Sequence, residues 1–184
     1  MVTRNAGKFE EARQELARFN IELRRIDADK LEVQSDDVTV IAARAAEAAY
    51  REFGVPLIVD DTGLYIRALK GFPGPYSSYV LRTIGLEGVL KLLSGVEDRS
   101  ACFRTAVAYV DEAGVKVFTG ETCGTLTREP RGRSGFGYDP IFVPDGESRT
   151  YAEMDVSEKN RVSHRGKALR AFAAWYINAR TRVR

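Results

Sequence analysis

Residues 101–110, ACFRTAVAYV, and 115–127, VKVFTGETCGTLT, are two long strand-like runs separated only by DEAG. So short a connection is of the hairpin kind, and hairpins pair their strands antiparallel. The middle of the chain is therefore expected to be a sheet ribbon, and the flanking segments must cover it.

Upstream, residues 8–19, KFEEARQELARF, place Phe9, Ala12, Leu16 and Phe19 on one face with acids near the start, the pattern of an amphipathic helix. The segment 21–26, IELRRI, alternates apolar and polar as a half-buried strand does. Residues 37–53 carry Val38, Ile41, Ala45, Ala49 and Phe53 at helical spacing, and 57–64, LIVDDTGL, reads as a short buried strand that ends on Asp60 and Asp61. After LYIRAL and the breaker-rich KGFPGPYSS come two short helical patterns through Leu93. REPRGRSGFG is too rich in Gly and Arg for regular structure. Towards the end, Ala168, Leu169, Phe172 and Trp175 or Tyr176 fall on one side of a long helix, and the terminal RTRVR reads as a solvated, frayed end. The expected class is α/β. No repeat or linker divides the 184 residues, which suffice for one core or for two lobes interleaved along the chain around a cleft.

Composition removes several function classes. No apolar run approaches membrane-spanning length and the start lacks a secretory pattern, so a cytoplasmic protein is expected. A net charge of +2 is too small for a general nucleic-acid surface. With two cysteines, Cys102 and Cys123, in no CxxC pairing, and one histidine, zinc and Cys-His chemistry are not supported and free buried thiols are expected. Any metal must be held by oxygen.

Four stretches carry candidate chemistry, each with a plainer alternative. Acids at the end of a buried strand either cap the next segment or hold a divalent cation against a phosphate. In 3–8, TRNAGK, a flexible turn feeds a helix: Asn5 is either a helix N-cap or, with Lys8 and the backbone N–H groups, part of an anion site. In 135–142, GFGYDPIF, Phe136 and Tyr138 are either core rings or a stacking surface for a base, which the glycines let approach. In 158–169, EKNRVSHRGKAL, Lys159, Ser163, His164 and Arg165 gather where a helix begins, as structural groups or as donors to an oxygen-rich ligand. Taken together the four describe a nucleoside triphosphate site.

Four segments, TRNAGK, VDDTGLYIRALKGFPGPYSSYV, GFGYDPIFVPDGESRTYAEM and SEKNRVSHRGKAL, resemble the inosine triphosphate pyrophosphatase family, with wording similar to archaeal members, in order from about residue 3 to residue 172. The resemblance implies a long mixed central sheet with flanking helices, two lobes around a deep cleft in one domain spanning residues 1–184, and a homodimer. It also implies Mg2+-dependent hydrolysis of ITP, dITP and XTP to the monophosphate and pyrophosphate, clearing deaminated purines from the nucleotide pool. By motif, Thr3, Asn5 and Lys8 fall in the triphosphate loop and Glu32 matches the metal-binding glutamate. Asp61 matches the acid that is both metal ligand and general base, followed by the hydroxyl of Thr62. Phe136, Gly137, Tyr138 and Asp139 correspond to the base-binding loop, Lys159 to the substrate lysine, and His164 with Arg165 to the pair that reads the base.

Two features depart from the family pattern. Only Met1 and Val2 precede Thr3, where family chains open with an apolar strand, so either that strand lies outside this sequence or the sheet lacks most of it. Arg4 stands where the family has a small residue, beside the phosphates or turned to solvent. Two other readings are a Maf-like pyrophosphatase for modified nucleotides and a nucleotide-binding module without turnover.

Overall fold

In this computed structural model, which describes residues 1–181, the expected hairpin is the centre of the sheet. β3 (Ser100–Asp111) and β4 (Gly114–Leu126) pair antiparallel from Ser100↔Thr125 to Asp111↔Gly114. Their turn closes where Asp111 Oδ1 accepts from Ala113 N at 2.9 Å and Gly114 takes φ +111°, a region open to glycine. β1 (Leu57–Ile66) runs antiparallel along the other side of β3, and the short strands β2 (Pro73–Gly74) and β5 (Phe142–Pro144) complete the order β2-β1-β3-β4-β5.

All pairings between these strands are antiparallel, and the parallel component among the described residues is the single bridge Val2↔Ile26. The half-buried strand expected at 21–26 is therefore irregular except at Ile26. Among the described residues its sheet-like partner is Met1–Thr3, whose bonds are Ile26 N to Met1 O (2.8 Å) and Thr3 N to Ile26 O (3.1 Å).

Helices cover both faces. α2 (Val38–Phe53) starts at Asp37, whose side chain accepts from Thr39 N, and stops at Gly54 in the left-handed region. Its Ala42, Ala45, Ala46 and Ala49 are small enough to lie close against Leu57, Val59, Ala106, Ala108 and Val110. On the opposite face α1 (Ala6–Ala17) and the long α6 (His164–Thr181) bury Ala12, Leu16, Leu169 and Phe172 against Ile58, Val107 and Tyr109. Past the reach of these helices, α3 (Ser77–Thr83), α4 (Gly85–Leu92) and the short 3-10 turns Asp139–Ile141 and Tyr151–Glu153 enclose a third cluster on Leu64, Ile66, Phe103 and Leu126. α5 (Val156–Val162) leads into α6. The end expected to fray, RTRVR, lies largely outside the described residues. No described helix is long and apolar enough to cross a membrane.

Two local expectations are corrected. β1 does not end at its acids: Asp60 and Asp61 pair with Val107 and Ala106 in mid-strand, and the ladder runs on to Ile66. The long partner β3 overrides the turn that Thr62 and Gly63 signal. The cysteines are not free buried thiols either. Register sets Cys102 directly across from Cys123, with Cα atoms 3.9 Å apart, and the half-buried pair is a disulfide.

A candidate active site at an open strand edge

Adjacent residues of a strand point to opposite faces, so the two acids separate. Asp60 shares its face with Ile58 and Thr62, looking toward α1 and α6. Asp61 lies on the face of Val59 and α2. Because β2 pairs only with Leu64 and Tyr65, no named strand covers the outer edge of β1 at the acids, and both carboxylates line one cavity.

The loop into α1 supplies one wall. Asn5 is the N-cap, its Oδ1 accepting from Lys8 N at 2.9 Å, which leaves its amide N–H groups unused by the cap. The plainer reading of Asn5 thus holds without excluding a ligand. Thr3 Oγ1 accepts from Asn5 N at 3.1 Å, and Lys8 Nζ reaches Asp60 Oδ1 at 3.3 Å. Arg4 turns to solvent, 3.1 Å from Asp29.

A buried charge network forms the floor. Arg165 donates through Nε to Asp60 Oδ2 (2.9 Å), and through its terminal nitrogens to Glu11 Oε2 (2.5 Å) and Thr62 Oγ1 (3.1 Å). Glu11 Oε1 also accepts from Lys159 Nζ (2.5 Å), which in turn donates to Asp139 Oδ2 (2.6 Å). Three of the five guanidinium N–H groups are thereby used, and two remain without a partner among the described residues. Burial would push Asp60 up, but the cations Lys8, Arg165 and Lys30 outweigh it and hold its carboxyl well below the usual range. Glu11 behaves alike, its burial outweighed by Arg165 and Lys159. For Asp139 burial prevails over Lys159 and the carboxyl is raised.

Asp61 is held differently. Lys30 Nζ donates to Asp61 Oδ1 at 2.8 Å and to the Asp60 carbonyl at 2.9 Å, and lies 4.0 Å from the mostly exposed carboxylate of Glu32. Asp61 Oδ2 is buried and has no hydrogen-bond partner among the described residues. Burial raises the Asp61 carboxyl, while Asp61 and Asp60 raise Lys30 against its own burial.

The aromatic wall comes from the glycine-rich loop. Gly135 (φ +73°) brings the backbone round so that Phe136 N donates to Asp139 Oδ2 at 2.9 Å. The Phe136 ring lies 4.7 Å from Lys159 Nζ and packs so closely on α1 that a Cβ on Gly7 would collide with it. Tyr138 divides from it: the ring is buried and its hydroxyl donates to Ser77 O at 2.7 Å. His164 stacks on Phe103, centroids 4.5 Å apart, with Nδ1 buried and unpartnered among the described residues. Burial, reinforced by Arg165 and Lys159, lowers its pKa well below the ordinary value, so the ring is neutral.

Thr3, Asn5, Lys8, Glu32, Asp61, Thr62, Phe136, Gly137, Tyr138, Asp139, Lys159, His164 and Arg165 all line one cavity of about 760 Å³. The sequence reading missed Lys30 and Glu11. Signals for both exist: Lys30 stands two residues before Glu32, the spacing that shares one side of an extended segment, and Glu11 lies three residues after Lys8 on the helix face that carries Ala12.

A family profile described as the Ham1 family matches residues 1–175. Proteins named dITP/XTP pyrophosphatase from Methanopyrus kandleri and Pyrobaculum aerophilum are 55% and 54% identical to this chain, covering 96% and 97% of it and 95% of their own lengths. Among solved structures, a HAM1 protein from Coxiella burnetii superposes with a TM-score of 0.81 at 32% identity, covering 96% of each chain. A nucleoside-triphosphatase, or dITP/XTP pyrophosphatase, from Mycobacterium abscessus gives 0.69 at 34% identity, covering 93% of this chain and 95% of its own.

Proposed function

The chain belongs to the Ham1 family, and from that premise we propose that it hydrolyses dITP, XTP and ITP to the monophosphate and pyrophosphate. The convergence of phosphate loop, acids, aromatic loop and basic cluster on one cavity carries the reading, and the names of its relatives support the substrate class.

The α1 N-terminus, the Asn5 amide and Lys8 would hold the phosphates, since free N–H groups and a cation meet there. Phe136 offers the face on which a base stacks. His164 and the two remaining N–H groups of Arg165 offer donors to a purine O6; adenine presents a donor at that position and is disfavoured. Asp61 would take the proton of the water that attacks the α-phosphorus, with pyrophosphate leaving.

The acids fit a divalent cation. Asp61 Oδ2 is a buried oxygen in need of a partner, Glu32 lies on the same side, and all the donors are the oxygens that Mg2+ prefers. Glu32 and Asp61 would hold Mg2+, which supplies charge neutralisation on the phosphates when bound. The same reading takes residues 1–184 as one domain with two interleaved lobes, acting in the cytoplasm as a homodimer, which sedimentation measures. Pyrophosphate release across dITP, XTP, ITP, ATP and GTP tests the function. Turnover confined to the deaminated purines is the expected result; binding of ITP without release at saturating Mg2+ overturns it.

A further inference from the structure

We propose that Lys30 is a tethered counter-ion of the metal cradle, which a divalent cation must displace from Asp61 on binding. The inference rests on the reading of Glu32 and Asp61 as metal ligands.

The Lys30 ammonium is surrounded by the kinds of donor a hard cation takes. A carboxylate oxygen of Asp61 lies at 2.8 Å, the Asp60 carbonyl at 2.9 Å and a Glu32 oxygen at 4.0 Å. Asp61 and Glu32 belong to segments far apart in sequence, and Lys30 joins them. Its side chain is 16% exposed, so the charge is largely withdrawn from water. Lys8 and Arg165, cations nearby, sit on a different carboxylate, that of Asp60.

The ammonium satisfies only half of Asp61, since Oδ2 remains without a partner among the described residues. A divalent ion that engages this carboxylate and Glu32 enters the space between them, where Lys30 Nζ now lies. Two cations cannot share hydrogen-bonding distance of one oxygen without strong repulsion in so poorly solvated a site. Four rotatable methylenes let the ammonium swing away. Once displaced it needs an anion, and a triphosphate in the same cavity is one. Metal and nucleotide are thereby coupled through Lys30: without nucleotide the metal competes with a resident charge, and with nucleotide that charge has somewhere to go.

The test is Mn2+ binding to nucleotide-free protein, followed by the electron paramagnetic resonance of free Mn2+, in wild type, Lys30→Gln, Lys30→Arg and Asp61→Asn. Lys30→Gln is expected to bind at least tenfold more tightly than wild type, Lys30→Arg to stay near wild type, and Asp61→Asn to lose binding. Equal or weaker binding by Lys30→Gln, with loss in Asp61→Asn, overturns the role of Lys30 alone. Binding that persists unchanged in Asp61→Asn, or is absent from every variant, overturns the metal reading and this inference with it. Should Lys30→Gln fail to fold, Lys30→Met keeps the apolar stem and serves in its place. The rise in thermal midpoint on adding Mg2+ is a second readout, expected to be larger without the Lys30 charge than with it.

Discussion

Arg165 Nε donates to Asp60 Oδ2 at 2.9 Å across 105 residues of sequence, tying the first turn of α6 to the middle of β1. The same guanidinium reaches Glu11 on α1, so one side chain holds together three elements that line the cavity.

Removing it leaves two buried carboxylates short of a partner. Arg165→Ala is expected to cost roughly 3–5 kcal/mol of stability, the usual scale for breaking a buried ion pair from one side, measured by urea unfolding. Arg165→Lys should lose less, because charge is kept while the planar fork that spans separate acceptors is lost. Wild-type stability in Arg165→Ala would remove Arg165 from the structural network.

Base reading by the two remaining N–H groups has its own signature. In folded Arg165→Ala, kcat/KM for ITP is expected to fall at least about 100-fold, near 2–3 kcal/mol for a charged hydrogen bond, and residual ATP activity much less. Equal losses on both nucleotides would assign the residue to phosphate binding or structure instead.

Asp61 separates chemistry from stability. Asp61→Asn keeps the shape and a partner for Lys30 but loses the charge and the proton affinity of a base. Pyrophosphate release should fall by at least about 10²-fold, the low end of general-base contributions, while the unfolding midpoint stays close to wild type. Turnover within about threefold of wild type, a fraction of a kcal/mol in barrier, would end its role as base.

The single histidine provides an unambiguous pH probe. Burial lowers the pKa of His164 in the folded state, so below about 6.5 the unfolded chain binds the extra proton and the folded chain does not. Stability should therefore fall as pH drops from the unfolded value toward the lower folded one, and be fully present above the unfolded value. The imidazole proton resonance should stay at its neutral position through pH 6.5 in the folded protein. A titration midpoint near 6.5 would show a solvated ring.

The disulfide lies on the sheet face opposite Phe103, the face that also carries Asp61, but neither cysteine lines the cavity. Cys102 and Cys123 are 21 residues apart, and a cross-link closing a loop of that size contributes about 3 kcal/mol in the chain-entropy account. Cys102→Ser with Cys123→Ser should lower the unfolding free energy on that scale without changing the KM for dITP. A changed KM would couple the disulfide to the site.

Much of the fold was written locally. Helical spacing marked α2 and α6, the short DEAG connection marked the β3–β4 hairpin, and Asn5 announced the start of α1, because periodicity, turn length and capping depend on residues a few positions apart. The motif residues also belong to the sequence, and all of them meet in one cavity. Tertiary structure decided what depends on register and on distant partners. Pairing along β3 carried β1 through Asp60 and Asp61 and turned the two acids to opposite faces, and register with β4 made a disulfide of two thiols that nothing in their spacing joined. The segment around Lys30 and the buried face of α1 acquired their charges' meaning only when folding laid them against β1 and α6. A lysine two residues from a glutamate and an acid one turn along a helix are ordinary on a solvated surface. They became Lys30 on Asp61, and Glu11 between Lys159 and Arg165, because burial leaves each charge no partner but the ones the fold supplies.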